Sequence, residues 1–191
     1  MDDKAYWVGL NLVKGIGAVR FKQLTDFFGS AQTAWEAPPV GWLSAGISQK
    51  VVNQFILVRQ QVDLDRVMEK AAANGVDILT WLDSEYPRRL KEIDQSPPVL
   101  FVKGSINVED DWAVAVVGTR RVTPYGRQVA DEIGRYLAQN GITVVSGLAR
   151  GVDAITHQAA LQACNLDGEY VLVPVPPLPD GQADLEAQLN H

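Results

Sequence analysis

Trp112-Ala113-Val114-Ala115-Val116-Val117-Gly118-Thr119-Arg120-Arg121-Val122-Thr123-Pro124-Tyr125-Gly126 is the stretch whose reading decides the fold. It opens on an apolar run of strand length, passes through a short cationic loop and enters a helix. Thr123 suits the N-cap, and Pro124 suits the first helical turn. The helix runs over residues 124–140, with Val129, Ile133, Tyr136 and Leu137 on one face and Gly141 as its stop. The pattern then repeats. Ile142-Thr143-Val144-Val145 reads as a second strand, Ser146-Gly147-Leu148-Ala149-Arg150-Gly151 as a second loop, and residues 152–163 as a second helix. Apolar strands separated by amphipathic helices predict a parallel sheet with β–α–β connectivity.

Both loops fall where a parallel strand ends and a helix begins. Ligands of open α/β sheets bind at the carboxyl ends of the strands. Free N–H groups and the positive end of the helix dipole favour phosphate there. Gly118 lets the backbone approach an anion, and Arg120 and Arg121 supply charge and paired donors. Thr119, Thr123 and Gly126 complete the first half of the rim. Ser146, Gly147, Arg150 and Gly151 form the second half. The competing reading is a tight turn with solvated arginines. Asp153 reads as a helix cap rather than a base, and His157 as its hydrogen-bonded neighbour one turn on, the two stabilising the loop. The G-x-G-x-x-G fingerprint and the P-loop pattern are both absent, which argues against NAD and ATP.

Working outward, residues 4–70 read as helical. Amphipathic stretches cover 5–12, 19–28 and 48–73, with Ser48 as an N-cap and a turn near Pro38-Pro39. Val13-Lys14-Gly15-Ile16-Gly17 resembles a helix-hairpin-helix element, whose glycines aim N–H groups at a DNA phosphate. Lys14, Gly15 and Gly17 are therefore candidates for a secondary DNA contact. A plain helix–helix turn explains the same glycines. Residues 76–81 and 99–102 read as strands, with a short helical turn at 86–90 between them and an acidic loop at 107–111. Residues 170–173 are a candidate third strand. The prolines of 174–179 cannot join a central strand. The tryptophans Trp7, Trp35, Trp42, Trp81 and Trp112 read mostly as packing residues.

Composition bounds the rest. The chain has 191 residues, 47% of them hydrophobic, which suits a globular protein with a core. No apolar run is long enough to span a bilayer, so no membrane partner is expected. The amino terminus shows no signal pattern, and the single cysteine fits a reducing, cytoplasmic setting. Cys164 and two histidines cannot build a cysteine-based zinc site, and no metal is expected. The net charge of −6 is unevenly spread. Residues 1–111 carry 12 basic and 15 acidic side chains, and residues 165–191 carry 5 acidic and none basic. Residues 112–164 carry 5 basic side chains, all arginine, against 3 acidic ones, so the two loops lie in the cationic segment.

Gly118-Thr119-Arg120…Thr123…Tyr125-Gly126 and Val145-Ser146-Gly147-Leu148-Ala149-Arg150-Gly151-Val152-Asp153…His157…Ala160-Leu161 resemble the signature loops of the DNA-processing protein A (DprA/Smf) family. Asp83-Ser84-Glu85-Tyr86-Pro87…Leu90…Ile93…Pro97-Pro98-Val99-Leu100-Phe101-Val102-Lys103-Gly104 is similar to the segment that leads into that family's sheet. The resemblance covers roughly residues 5–163. It implies an α/β protein in which an N-terminal helical (helix-hairpin-helix or SAM-like) domain precedes an incomplete Rossmann-like parallel sheet. The expected division is a helical domain at 1–73, a connecting strand and loop segment at 74–111, a partial Rossmann-like DNA-binding domain at 112–175 and an acidic, proline-rich tail at 176–191. The resemblance also implies single-stranded DNA and the RecA recombinase as partners, a homodimer, a role in DNA-mediated transformation and recombination, no cofactor and no catalysis. After Ala163 the sequence departs from the family pattern, and the expectation is a member truncated at its C-terminus. Two other readings compete: a nucleotide-phosphate-binding Rossmann-like enzyme, and a truncated remnant that binds nothing.

Overall fold

The computed structural model describes residues 3–106 and 112–164. They fall into two compact units that divide between Gly104 and Ser105. The expected acidic loop at 107–111, the third strand at 170–173 and the proline-rich tail lie outside the described residues.

The first unit is built from short helices: α1 (Asp3–Leu12), α2 (Ala18–Phe28), α3 (Ala31–Glu36), α4 (Pro39–Ser44), α5 (Gln49–Gln61), α6 (Leu64–Ala73) and the single turn α7 (Arg88–Lys91). Between α6 and α7 comes β1 (Val76–Thr80), which pairs antiparallel with β2 (Val99–Lys103), Ile78 opposite Phe101. α1 packs against α3, α5, α6 and both strands. Its Trp7 meets Phe21 at 4.7 Å between ring centroids, and Trp81 stands edge-on to both. Trp42 stacks on Phe55 at 3.8 Å and donates its indole N–H to the Ala34 carbonyl at 2.7 Å. Such rings carry the largest apolar areas in the core.

A carboxylate ties the amino terminus to the end of β1. Lys4 Nζ sits 2.8 Å from Asp83 and donates to the Ile78 carbonyl at 2.7 Å. Asp83 accepts from the N–H and the hydroxyl of Thr80. Burial works against its charge, but the bonds from Lys4 and Thr80 prevail and hold the carboxyl below its ordinary range.

The single helical stretch expected at 48–73 is two helices. Val62 is extended and Asp63 starts a new helix, its carboxylate accepting from the N–H of Arg66 at 3.1 Å. Apolar periodicity does not register such a restart, because both helices feed the same core. Ser48 stands at the N-cap position of α5, but its hydroxyl makes no capping bond.

The second unit alternates strand and helix: β3 (Ala113–Ala115), α8 (Pro124–Gln139), β4 (Thr143–Val145) and α9 (Val152–Cys164). β3 and β4 run parallel, with Val114 opposite Val144. Bonds from Thr143 to Trp112 and from Val116 to Val145 extend the pairing at both ends. The face of α8 buried against α9 matches the expected one only in part, at Leu137 and the half-buried Val129. Ala130, Gly134 and Leu137 are buried, while Ile133 and Tyr136 remain 42% and 65% exposed. Small residues decide this: a side chain on Gly134 would run into the Thr156 carbonyl, so the helices meet backbone to backbone. Both strands are short and largely open, unlike the buried core strands of a full parallel sheet. Trp112 is exposed at the start of β3, whereas Trp7, Trp35 and Trp42 are buried.

Among the described residues, no helix is long and apolar enough to cross a membrane. No group of three or more His, Cys, Asp or Glu side chains is placed to hold a metal there.

Candidate functional site

Because β3 and β4 are parallel, both following loops emerge on the same side of the second unit. Thr123 caps α8, its hydroxyl accepting from the N–H of Gly126 at 3.1 Å. Thr119 is spent locally: its hydroxyl accepts from the N–H of Arg121 at 3.1 Å. Gly118 is small for Val152, whose side chain would lie 2.7 Å from any added Cβ. Gly151, at φ +99°, has its α-carbon against the first loop, and a side chain there would collide with the Thr119 carbonyl and the Arg120 backbone. The N–H of Val152 donates to the same Thr119 carbonyl at 3.2 Å. The two loops therefore touch through backbone.

Asp153 is 3% exposed and holds the junction. Its carboxylate accepts from the N–H groups of Gly118 at 3.2 Å, Gly147 at 3.0 Å and Ala149 at 3.4 Å. It thus bridges the loops, rather than capping α9 as the sequence suggests. The carboxylate already fills the backbone positions that an anion would otherwise take. Nor does His157 bond Asp153. Its Nε2 lies 2.6 Å from the Ser146 hydroxyl, which also accepts from the N–H of Leu148. Burial pushes the His157 imidazole below its ordinary range, against a smaller opposing pull from Asp153. Leu148 is held at φ +50°, which only a well-fixed loop sustains in a residue with a side chain.

An open cleft of about 330 Å³ follows this junction, lined by Arg120, Val122, Arg127, Arg150, Gly151, Ala154, Ile155 and Gln158. The loop residues read from sequence thus separate by role. Arg120, Arg150 and Gly151 line the cleft. Gly118, Thr119, Thr123, Gly126, Ser146 and Gly147 shape the loops behind it. Arg121 stands exposed beside it. Arg127 and Gln158 were not expected. Arg127 comes four residues after the Thr123 cap, one turn into α8, and that spacing is the signal that finds it. Arg135, the remaining arginine of this segment, is paired with Asp131 at 3.1 Å. Among the described residues Arg120, Arg127 and Arg150 have no carboxylate within ion-pair distance.

Lys14, Gly15 and Gly17 lie in the other unit, exposed on the turn between α1 and α2. Gly15 takes φ +98° and its carbonyl accepts from Arg20 at 2.6 Å, while Ile16 is buried beneath it.

Parallel strands, crossover helices and a cationic crevice at the strand carboxyl ends place the second unit among open α/β folds with a strand-end crevice. Residues 77–167 match the family model for DNA recombination-mediator protein A. The chain belongs to the DprA/Smf family. It is 33% identical over 166 residues to protein Smf of Synechocystis, spanning 84% of this chain and 42% of that protein. It is 30% identical over 138 residues to the DNA processing protein DprA of Bacillus subtilis, spanning 68% of this chain and 46% of that one. The crystal structure of DNA processing protein A from Streptococcus pneumoniae superposes with a TM-score of 0.59 at 25% identity, covering 83% of this chain and 54% of that one. The chain thus spans less than half the length of these two curated relatives.

Proposed function

We propose that this chain binds single-stranded DNA along the cleft between its two strand-end loops, on a Rossmann-like unit, and that it binds without catalysing a reaction. The observation that carries this reading is the trio Arg120, Arg127 and Arg150: three guanidinium groups around one open cleft, none with a carboxylate partner among the described residues. Unpaired arginines converging on one groove suit a chain of phosphates, and forked donors suit phosphate oxygens. With the backbone N–H groups of Gly118 and Gly147 given over to Asp153, the arginine side chains do the gripping. The same geometry argues against acid–base chemistry. Ser146 and His157 are paired, but the nearby carboxylate is spent on three backbone donors and does not orient the imidazole.

The exposed turn at Lys14, Gly15 and Gly17 is proposed as a secondary phosphate contact of helix-hairpin-helix kind. The names of the relatives put DNA processing and recombination in view. On that footing the chain acts in the cytoplasm, presents bound strands to a RecA-type recombinase and works as a homodimer.

Fluorescence anisotropy of a labelled oligo-dT strand over a salt series, for the unaltered chain and Arg120→Ala, tests the reading. Binding that weakens with salt and drops by about 1–3 kcal/mol in the variant is expected. No binding at low salt would sink it.

A further inference from the structure

Among the residues that line the cleft, Gln158 is the one whose side chain carries a hydrogen-bond acceptor. The three arginines offer donors only, and Val122, Ala154 and Ile155 offer neither kind of group. Gln158 is exposed, and its carboxamide makes no hydrogen bond to another described residue. Helical spacing sets its place. Ala154 and Ile155 stand four and three residues before it on α9, so the three share one face of that helix, and the face forms a wall of the cleft. Val122, just before the Thr123 cap, and Ile155 are half-buried there. Phosphate oxygens only accept. They could use the N–H₂ half of the carboxamide, but neither its oxygen nor the apolar wall. A nucleobase uses all three, because it has an apolar face and an edge on which donors and acceptors stand side by side.

We infer that Gln158 reads the Watson–Crick edge of an unpaired base whose face lies on Val122 and Ile155, while Arg120, Arg127 and Arg150 hold the flanking phosphates. This rests on the DNA-binding reading above and deepens it, by naming the part of the strand that the uncharged residues of the cleft take. Phosphate contacts hold a backbone and carry no information about the bases. Each of the four bases places a donor beside an acceptor on its Watson–Crick edge, and a carboxamide turned over pairs with either order. The contact is therefore tolerant of sequence. It is not tolerant of pairing, because in a duplex those edges are spent on the opposite strand. Gln158 is a specificity determinant for unpaired strands, and the arginines are the source of charge.

The test compares the full chain with Gln158→Met, which keeps the length of the side chain and removes its amide. Anisotropy is read on two labelled probes of equal length and charge: oligo-dT, and a strand of 3-methylthymidine, whose Watson–Crick edge is blocked by the methyl group. The unaltered chain is expected to bind oligo-dT roughly 2- to 12-fold more tightly than the methylated strand, the range of one net hydrogen bond. Gln158→Met is expected to bind both strands alike, with about the affinity of the unaltered chain for the methylated one. An unaltered chain that binds the two strands equally would overturn the inference. So would a Gln158→Met chain that still prefers oligo-dT by the same factor. Either result leaves the DNA-binding reading standing, since the strands are still bound. Failure of the unaltered chain to bind either probe at low salt would overturn both.

Discussion

Gly151 meets Thr119 with no room between them: the α-carbon of one loop rests on the carbonyl of the other, and Val152 donates to that same carbonyl. The contact joins segments that follow different strands. It also yields a prediction with an internal control. Gly151→Ala places a methyl on the Thr119 carbonyl and 2.7 Å from the Arg120 α-carbon, at φ +99°. Strain and overlap together are expected to cost about 3 kcal/mol or more. Gly141→Ala, at φ +68° with open space around it, is expected to cost about 1 kcal/mol. Urea unfolding of both variants checks the ordering, and equal losses would mean that the loops do not pack as described.

Asp153→Asn is expected to loosen both loops at once. The carboxamide keeps one acceptor oxygen and turns an N–H₂ toward groups that are themselves donors. The cost is about 3 kcal/mol, the scale of disturbed bonds to a buried charge. Hydrogen exchange at the amides of Gly118, Gly147 and Ala149 is expected to speed up together. Unchanged exchange at Gly118 would show that the bridge does not hold the first loop.

The pH dependence of the second unit is expected to centre on His157. Burial holds its pKa below the ordinary value in the folded chain, so on acidification the unfolded chain takes up the proton first. Stability is full above about pH 6.5, declines as pH falls from there through the folded value, and levels off beneath it. His157→Gln is expected to remove that decline. Denaturation midpoints at several pH values on either side of 6.5 would show it, and a parallel decline in the variant would assign the effect elsewhere.

Arg127→Ala is expected to weaken single-strand binding about as much as Arg120→Ala, by about 1–3 kcal/mol. Each substitution should also lower the slope of log affinity against log salt by about 0.7. An Arg127→Ala variant with unchanged affinity and slope would place the strand elsewhere than along this cleft.

Local chemistry made part of this site legible. Thr123 is a cap because a hydroxyl precedes Pro124 and a helical pattern, and the structure gives it that bond. Arg120 and Arg150 line one cleft because loops after parallel strands share an end of the sheet. What stayed hidden depends on approach distance. Hydrophobicity favoured Val129, Ile133, Tyr136 and Leu137 as one buried face, yet Ala130 and Gly134 bring α9 in and leave Ile133 and Tyr136 out. Asp153 looked like a cap because it stands in the first turn of α9. Its partners Gly118 and Gly147 come within reach only once Gly151 has folded back on Thr119. Arg127 carries a local signal, one turn after the Thr123 cap, but that it lines a cleft depends on α9 packing alongside.

Gly134 has a last consequence. It lies two turns beyond Arg127 on α8, where its bare backbone meets Thr156, and Gln158 on α9 lies a further two residues along. The close approach of α8 and α9 therefore rests on a hydrogen atom where other residues carry a methyl, and the separation of Arg127 from Gln158 across the cleft follows from a position that lines no part of it.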